Sequence, residues 1–128
     1  MIFVDSSFFI ALAHKKDRWH RRAVELAKRF PDEKLVTELI ISESATVIGA
    51  LGGGKAGMSV YEYIIGNCEV VFTDRELLEG AIPTYLRYDG TLSVADAVSV
   101  EIMRRRGIKK ILSFDKDFDK VEGISRIG

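Results

Sequence analysis

The stretch Ser93-Val94-Ala95-Asp96-Ala97 places a carboxylate among apolar neighbours at the start of a predicted helix. The helical spacing of apolar residues continues to about Arg106, and Gly107 is a typical residue to end such a helix. Ser93 and Asp96 also have the spacing of a capping box, in which both side chains bond to backbone at the helix N-terminus. The stretch is therefore either a structural helix start or the position of a functional carboxylate beside the core.

Three further acids lie at the edges of predicted core elements. Asp5 follows the apolar strand Ile2–Val4, and Asp115 follows the apolar strand Ile111–Ser113. Glu43 is predicted on the apolar side of a helix, where a carboxylate is costly unless it is paired, protonated or bound to a metal. Each acid also has a structural explanation, since Asp5 and Asp115 can cap helical turns and Glu43 can reach water along its flexible stem.

Short apolar strands alternate with helices along the chain, which is typical of a parallel sheet with helices on both faces. The predicted strands are Ile2–Val4, Leu35–Val36, Val70–Phe72, Ile111–Ser113 and an edge strand within Gly123–Ile127. The predicted helices include Phe8–Ala13, Trp19–Phe30, one that Thr37 caps, Ser59–Ile65, one that begins with a capping box at Thr73, Ser93–Arg106 and a single turn over Asp115–Phe118.

This pattern predicts a three-layer α/β/α fold, with a central parallel sheet of four to five strands, in a single domain over residues 1–128. In such sheets, ligands bind outside the carboxyl ends of the strands. Asp5 and Asp115 both come just after a strand, and Asp96 opens a helix. We therefore expect the four acids, Glu43 included, to converge in one pocket.

The composition narrows the function classes. The 128 residues contain 19 basic and 19 acidic side chains, so the net charge does not indicate a general nucleic-acid binder, although local basic patches remain possible. Cys68 is the single cysteine and cannot form an internal disulfide, which favours a reducing compartment. No apolar run approaches the ~20 residues needed to span a bilayer, and the N-terminus lacks a signal-peptide pattern. We therefore expect a cytoplasmic protein without membrane association.

Four converging carboxylates would repel one another and raise one another's pKa values unless a cation relieved the repulsion. Hard divalent cations such as Mg2+ or Mn2+ prefer oxygen ligands and retain some of their waters. A zinc site is not indicated, because Cys68 is alone and His14 and His20 lie among basic residues. We expect these two histidines to face solvent near a hinge between the first two helices.

These segments together resemble the PIN-domain family of ribonucleases, especially its small VapC-type toxins. The matching segments are Phe3-Val4-Asp5-Ser6-Ser7, the helix that carries Glu43, Ser93–Ala97, and Leu112-Ser113-Phe114-Asp115-Lys116-Asp117-Phe118. Their order and spacing cover essentially the whole chain. The resemblance implies a PIN-like fold and a Mg2+ or Mn2+ site on the catalytic acids Asp5, Glu43, Asp96 and Asp115.

The resemblance also implies a reaction and partners. The reaction is metal-dependent endonucleolytic hydrolysis of RNA, carried out by the toxin of a VapBC-type toxin–antitoxin pair. Asp117, Ser6 and Ser113 match positions that support the metal site. An antitoxin segment would cover the acidic pocket and offer it an Arg, and the apolar helix faces before Gly66 would form a homodimer. Glu38 competes with Glu43 for the second acid, but its place in the first helical turn is explained by the helix dipole alone.

Basic residues cluster near the hinge after the first predicted helix. This cluster comprises Lys15, Lys16, Arg18, Arg21 and Arg22. Basic side chains suit phosphate binding, so the cluster is a candidate RNA-binding surface. Residues 104–106 are also basic, but cations at a helix C-terminus complement the helix dipole without any ligand.

Three alternative functions compete with the hypothesis of a metal-dependent ribonuclease. The stretch from Gly49 to Lys55 fits a phosphate-binding loop until Ala56 stands where Ser or Thr should be, and it follows a helix rather than a strand. The segment that begins with Asp115-x-Asp117-x-Asp119 resembles a calcium-binding loop, but it lacks the glycine and the final glutamate of such a loop. A non-catalytic PIN-like module that binds RNA or protein is the main alternative, and only an activity measurement excludes it.

Overall fold

The computed structural model describes residues 1–128 and contains five strands and six α-helices. The strands are β1 (Ile2–Val4), β2 (Lys34–Thr37), β3 (Cys68–Val71), β4 (Lys110–Leu112) and β5 (Ser125–Ile127). The helices are α1 (Ser6–Ala13), α2 (His20–Arg29), α3 (Glu38–Gly52), α4 (Gly54–Asn67), α5 (Arg75–Arg87) and α6 (Val94–Arg106). A short 3-10 helix, Lys116–Lys120, joins β4 to β5.

The five strands form one fully parallel sheet in the order β3-β2-β1-β4-β5. Crossovers between parallel strands are right-handed, so this strand order puts α1 to α4 on one face of the sheet and α5 and α6 on the other. The helix contacts agree, because α1 packs on α2 and α3, α3 packs on α4, and α5 packs on α6. The predicted three-layer α/β/α fold, including the parallel edge strand, is therefore confirmed.

The two central strands set the position of the site. All three residues of β1 are fully buried, as are Ile111 and Leu112 of β4. Phe3 pairs with Ile111 and Val4 with Leu112, so Asp5 and Ser113 follow side by side where the two strands end. A hydrogen bond of 3.0 Å from the Asp5 amide to the Leu112 carbonyl extends this pairing beyond the strands.

Several predicted boundaries were wrong for local reasons. The third strand ends at Val71, because the pairing of Val71 with Thr37 is the last between β3 and β2, and the Phe72 side chain that follows is 69% exposed. The helix predicted over Ser59–Ile65 is longer, since α4 begins at Gly54 after a single break at Gly53, whose φ of 93° suits glycine. Asp74, rather than Thr73, caps α5 by accepting from the Leu77 amide.

The helices are bounded by other features that the sequence predicted. Thr37 caps α3 by accepting a hydrogen bond from the Ile40 amide, and Gly107 ends α6 in the left-handed conformation with a φ of 66°. Pro83 lies inside α5. None of the six helices combines the length and apolar character needed to cross a bilayer.

Candidate active site

Asp5 is a buried carboxylate held by two serine hydroxyls. Ser7 Oγ and Ser113 Oγ each donate a hydrogen bond of 2.8 Å to Asp5 Oδ2, and the residue is only 4% exposed. Asp5 occupies the N-cap position of α1, as the structural alternative predicted, but its side chain makes no capping hydrogen bond. Burial raises the pKa of Asp5, the two hydroxyl donors oppose this rise, and the charge of Asp115 adds to it.

Asp115 lies beside Asp5 on the loop after β4. Its amide donates to Ser113 Oγ at 3.0 Å, so the hydroxyl that holds Asp5 also holds this loop. Asp115 Oδ1 accepts from the Asp117 amide at 2.9 Å and thereby caps the 3-10 helix. The structural role that the sequence offered for Asp115 is therefore present, and it leaves the second carboxylate oxygen without a protein partner.

Asp96 combines a capping role with an electrostatic link to the same acids. The capping box predicted for Ser93 and Asp96 is present, with hydrogen bonds of 3.0 and 3.3 Å. Burial raises the pKa of Asp96 to about 6, and the negative charges of Asp5 and Asp115 contribute to the rise. Asp5 and Asp115 thus lie close enough to Asp96 to disfavour its ionised form.

Glu43 reaches the same edge of the sheet through Ser6, which donates a hydrogen bond of 2.9 Å to Glu43 Oε2. Its predicted place on the apolar side of α3 is wrong. The helix buries Ile40, Ser44 and Ile48, whereas Glu43 is exposed. Glu43 is therefore a rim carboxylate tied to the residue that follows Asp5.

Glu38, the competing acid, has a different partner. Its carboxylate accepts hydrogen bonds from both the amide and the hydroxyl of Thr73, in the loop between β3 and α5. These contacts join the ends of two neighbouring strands. Glu38 therefore has a structural role, and the contacts of Glu43 make it the better candidate for the site.

The four acids lack basic partners within the chain. None of its nine ion pairs includes Asp5, Glu43, Asp96 or Asp115. Glu101 shows the opposite arrangement, since this buried carboxylate pairs with Arg104 and Arg105 at 2.7 and 2.9 Å. The hydrogen bond from Arg104, aided by Arg105, holds the pKa of Glu101 below its usual value.

The donor set suits a hard cation, because it consists of carboxylate oxygens that no guanidinium or ammonium group neutralises. No three His, Cys, Asp or Glu side chains of the chain are arranged to enclose a metal ion by themselves. A Mg2+ ion usually binds through one or two carboxylates and keeps several waters, so a closed protein cage is not required. The residues therefore fit such an ion with water completing its coordination.

The predicted supporting residues have distinct positions. Ser6 and Ser113 are buried and donate to Glu43 and Asp5, as described above. Asp117 is half exposed, and its carboxylate lies 3.3 Å from the Lys120 ammonium. Ser7 was not among the predicted site residues, although it lies in the segment Phe3–Ser7 that carries the resemblance. Its hydroxyl contacts Asp5 and also accepts from the Phe114 amide at 2.9 Å.

The basic cluster near the hinge is largely available to a ligand. Lys15, Lys16 and Arg21 are exposed and form no ion pair, whereas Arg22 pairs with Glu25 at 2.9 Å. The expectation that the neighbouring histidines face solvent is wrong for His20. Its Nδ1 atom lies 2.8 Å from the Ala11 carbonyl and ties α2 to α1. His14 is partly buried.

The alternative sites lose their structural basis. The stretch from Gly49 to Lys55 belongs to the end of α3 and the start of α4, so no strand leads into a phosphate-binding loop. Asp119, the third acid of the rejected calcium loop, accepts hydrogen bonds from Arg126 at 2.8 and 3.2 Å. Both observations favour the carboxylate cluster as the functional site.

The family profile described as PIN domain matches residues 2–124 of this chain. The chain belongs to the PIN-domain family. The 23S rRNA-specific endonuclease VapC20 of Mycobacterium tuberculosis is 30% identical to this PIN domain over 120 residues, which cover 92% of each chain. Ribonuclease VapC13 of the same organism is 32% identical over 132 residues, with 99% of each chain covered. This PIN domain is therefore related to the VapC ribonucleases, as the sequence resemblance predicted.

The solved structures show the same relationship. The crystal structure of the M. tuberculosis toxin VapC20, described as cleaving the sarcin-ricin loop, superimposes on this PIN domain with a TM-score of 0.86 at 28% identity. That alignment covers 93% of each chain. The toxin–antitoxin complex from Klebsiella pneumoniae gives a TM-score of 0.73 at 13% identity, which shows the shared fold.

Proposed function

We propose that this PIN domain is a Mg2+- or Mn2+-dependent endoribonuclease that hydrolyses RNA phosphodiester bonds, with Asp5, Glu43, Asp96 and Asp115 as its catalytic acids. The observation that carries the proposal is the buried carboxylate of Asp5, which lies beside Asp96 and Asp115 without any basic partner in the chain. Its relationship to the VapC ribonucleases supports RNA as the substrate. The proposal includes a cytoplasmic location and a toxin role in a VapBC-type pair.

The proposed roles follow from the position of each acid. Asp5, Asp96 and Asp115 would hold the cation at the carboxyl ends of β1 and β4, directly or through its bound waters. Glu43 would complete the site from the rim. A bound divalent cation supplies Lewis-acid activation of water and neutralises charge on the phosphate. Ser7 and Ser113 keep one Asp5 oxygen fixed by hydrogen bonds, so the other oxygen keeps a defined direction.

A Mn2+ titration followed by thermal unfolding tests the metal site first. A ligand that binds only the folded state stabilises it by ~2.7 kcal/mol at a hundredfold excess over its dissociation constant. We expect a Mn2+-dependent shift in the wild type, a much smaller shift in Asp96→Asn, and none with ATP. Asp32→Asn is a matched control, because Asp32 is exposed at the loop that precedes β2. A shift that Asp96→Asn leaves unchanged would contradict the metal site.

Cleavage then separates the enzyme from a binding module. We expect the wild type with Mg2+ or Mn2+ to cut single-stranded or structured RNA, and Asp96→Asn to lose that activity by at least ~100-fold, since an essential metal ligand is removed. RNA that binds to the metal-loaded wild type without being cut would instead indicate the non-catalytic module.

The proposed antitoxin would cover the acidic site. The carboxylates lack a cation from their own chain, so an antitoxin segment that offers an Arg would form the charge pairs that are missing. The structure from Klebsiella pneumoniae that shares this fold is a toxin–antitoxin complex, which supports a partner of this kind. We expect the antitoxin to abolish Mn2+-dependent cleavage of RNA. An antitoxin variant that lacks the Arg should leave the cleavage intact.

The proposed homodimer would use α3 and α4. Five large apolar side chains are exposed there, namely those of Leu51, Met58, Tyr61, Tyr63 and Ile65. One of them, Tyr63, lines an apolar cavity of about 350 Å³ between α1, α3 and α4. Light scattering should give the mass of a dimer for the wild type and of a monomer for Met58→Glu, whereas a monomeric wild type would contradict this part of the proposal.

A further inference from the structure

Three aromatic rings form a near-parallel series that runs from the core to the surface beside the carboxylates. Phe8 is buried, and its ring lies 6.3 Å from that of Phe114 with an angle of 15° between the planes. The Phe114 ring lies 5.3 Å from the Trp19 ring with an angle of 1°. Phe114 and Trp19 are only partly buried, so the series ends at the protein surface.

An exposed guanidinium group lies over the ring of Trp19. The Arg18 side chain is exposed, and its Cζ atom lies 4.6 Å from the centre of the Trp19 ring. The Trp19 amide donates to Asp17 Oδ1 at 2.8 Å, which fixes the backbone between these residues. A planar cation over an indole ring presents a flat, polarisable surface of the kind on which nucleic-acid bases stack.

This surface is connected to the site through a short set of contacts. Phe114 immediately precedes Asp115, and its amide donates to Ser7 Oγ at 2.9 Å. Ser7 Oγ in turn donates to Asp5 at 2.8 Å. The exposed cations Lys15, Lys16 and Arg21 flank the same segment and can contact phosphates on either side of a bound base.

We propose that Trp19 and Arg18 bind an unpaired nucleobase of the RNA next to the phosphate at the carboxylates. The alternative is that Trp19 only packs on Phe114, which requires neither the exposed Arg18 guanidinium nor proximity to Asp115. Base stacking is tolerant of sequence, because every base offers a flat face. The site therefore selects unpaired nucleotides at this position over nucleotides held in a duplex.

Trp19 is the only tryptophan of the chain, so its fluorescence reports directly on this site. The wild-type protein is titrated in Ca2+, which neutralises the carboxylates, with a short single-stranded RNA and with an abasic oligomer that has the same number of phosphates. We expect only the RNA to quench the emission, and we expect it to bind roughly 5- to 150-fold more tightly than the abasic oligomer. Equal affinity for both oligomers, or no quenching by the RNA, overturns the proposal.

Variants separate base binding from packing, with affinity measured by the anisotropy of a labelled RNA. Trp19→Leu should lose most of the preference for RNA over the abasic oligomer. Arg18→Gln should lose part of this preference. Trp19→Phe keeps an aromatic ring against Phe114 and should therefore retain part of the preference. Tyr88→Leu is the matched control. Arg87 lies 5.5 Å above the Tyr88 ring, and this pair lines a cavity with Gly107 and Lys109, just before β4 begins.

If Trp19→Leu does not fold, the fluorescence titration of the wild type and Trp19→Phe still test the proposal. An unchanged RNA preference in Trp19→Leu, or an equal loss in Tyr88→Leu, overturns it.

The inference rests on the proposed function, but the two can fail separately. If the wild type cleaves RNA but binds the RNA and the abasic oligomer equally well, this inference alone is refuted. If the wild type prefers the RNA but does not cleave it, only the proposed hydrolytic reaction is refuted.

Discussion

Ser113 Oγ donates a hydrogen bond of 2.8 Å to Asp5 Oδ2, and this bond joins the ends of the two central strands, 108 residues apart in the chain. The same hydroxyl accepts from the Asp115 amide at 3.0 Å. One fully buried serine therefore sets the positions of two acids. Because a hydroxyl donor favours an ionised carboxylate, it also opposes the rise in the pKa of Asp5 that burial causes.

We expect Ser113→Ala to weaken Mn2+ binding and RNA cleavage by about 10- to 100-fold, since residues that hold metal ligands contribute on this scale. The cause is a further rise in the pKa of Asp5 and a less ordered Asp115 loop. Calorimetry measures the change in Mn2+ affinity, and cleavage rates measure the change in activity. Ser44→Ala is the control, because its equally buried hydroxyl bonds only to the Ile40 carbonyl of its own helix. Equal losses in both variants would show a general effect of removing a buried hydroxyl.

Asp96 makes the stability of the metal-free protein depend on pH. Its pKa is about 6 in the folded state and 3.8 in a model peptide, so the folded state retains the proton to higher pH. Stability is therefore greatest below the unfolded pKa and falls as the pH rises through about 6. Asp96→Asn should show a smaller fall between about pH 4 and pH 7 in urea unfolding. Asp5 contributes in the same direction in both proteins, because its pKa is also raised.

Mn2+ should reverse this pH dependence in the wild type. The cation requires ionised carboxylates, so its stabilising effect should grow as the pH rises through about 6 and be small well below it. Thermal unfolding with and without Mn2+ across this range measures the difference. A Mn2+ effect that is constant from acidic to neutral pH would show that Asp96 is not among the groups that bind the ion.

The fold was predictable because its pattern is local. The apolar strand before Asp5, the capping box of Ser93 and Asp96, and the glycine at 107 are each visible within a few residues, and the structure has all three. The placement of Glu43 was wrong, because α3 is apolar on most of its surface and periodicity alone did not show which side meets the core.

The contacts that hold the site were not predictable from sequence. Ser7 meets Phe114 across 107 positions in the chain, and nothing near either residue indicates the other. The Trp19–Phe114 stack likewise depends on how the hinge after α1 returns to the end of β4. The sequence indicates which carboxylates can converge, whereas the packing of distant loops decides which neutral side chains orient them.

Glu101 offers a test of buried charge away from the site. Its carboxylate is 3% exposed and accepts from Arg104 and Arg105 on the surface of α6. Glu101→Gln keeps the volume but removes the charge, so we expect a loss of about 1.5–3 kcal/mol in the free energy of unfolding at neutral pH. The loss should shrink as the pH falls through the lowered pKa of Glu101.

Urea unfolding measures this loss, and the exposed Glu25 pair with Arg22 supplies the control. Glu25→Gln should cost less than about 1 kcal/mol, because exposed ion pairs contribute little. Mn2+-dependent cleavage should remain in Glu101→Gln. A comparable loss in both variants would mean that burial adds nothing to the Glu101 interaction.

The contact between α3 and α4 depends on the absence of a side chain at Gly57. A Cβ atom at this position would lie 2.7 Å from the Ala45 carbonyl oxygen and 3.2 Å from the Gly49 Cα atom, both of which belong to the backbone of α3. Since neither can move without shifting the helix, Gly57→Ala should destabilise the protein by about 1–3 kcal/mol. Gly66, in the same helix, is exposed, and a Cβ atom there meets nothing within 4 Å.

Gly66→Ala should therefore stabilise the protein by up to about 1 kcal/mol, because alanine favours the helix more than glycine does. If close packing of α3 on α4 decides the outcome, urea unfolding should show a lower free energy of unfolding for Gly57→Ala and a higher one for Gly66→Ala. Stabilisation by both would mean that α4 moves away from α3 at little cost. That result would also weaken the homodimer proposal, because the apolar surface of these helices needs a fixed α3–α4 pair to present it.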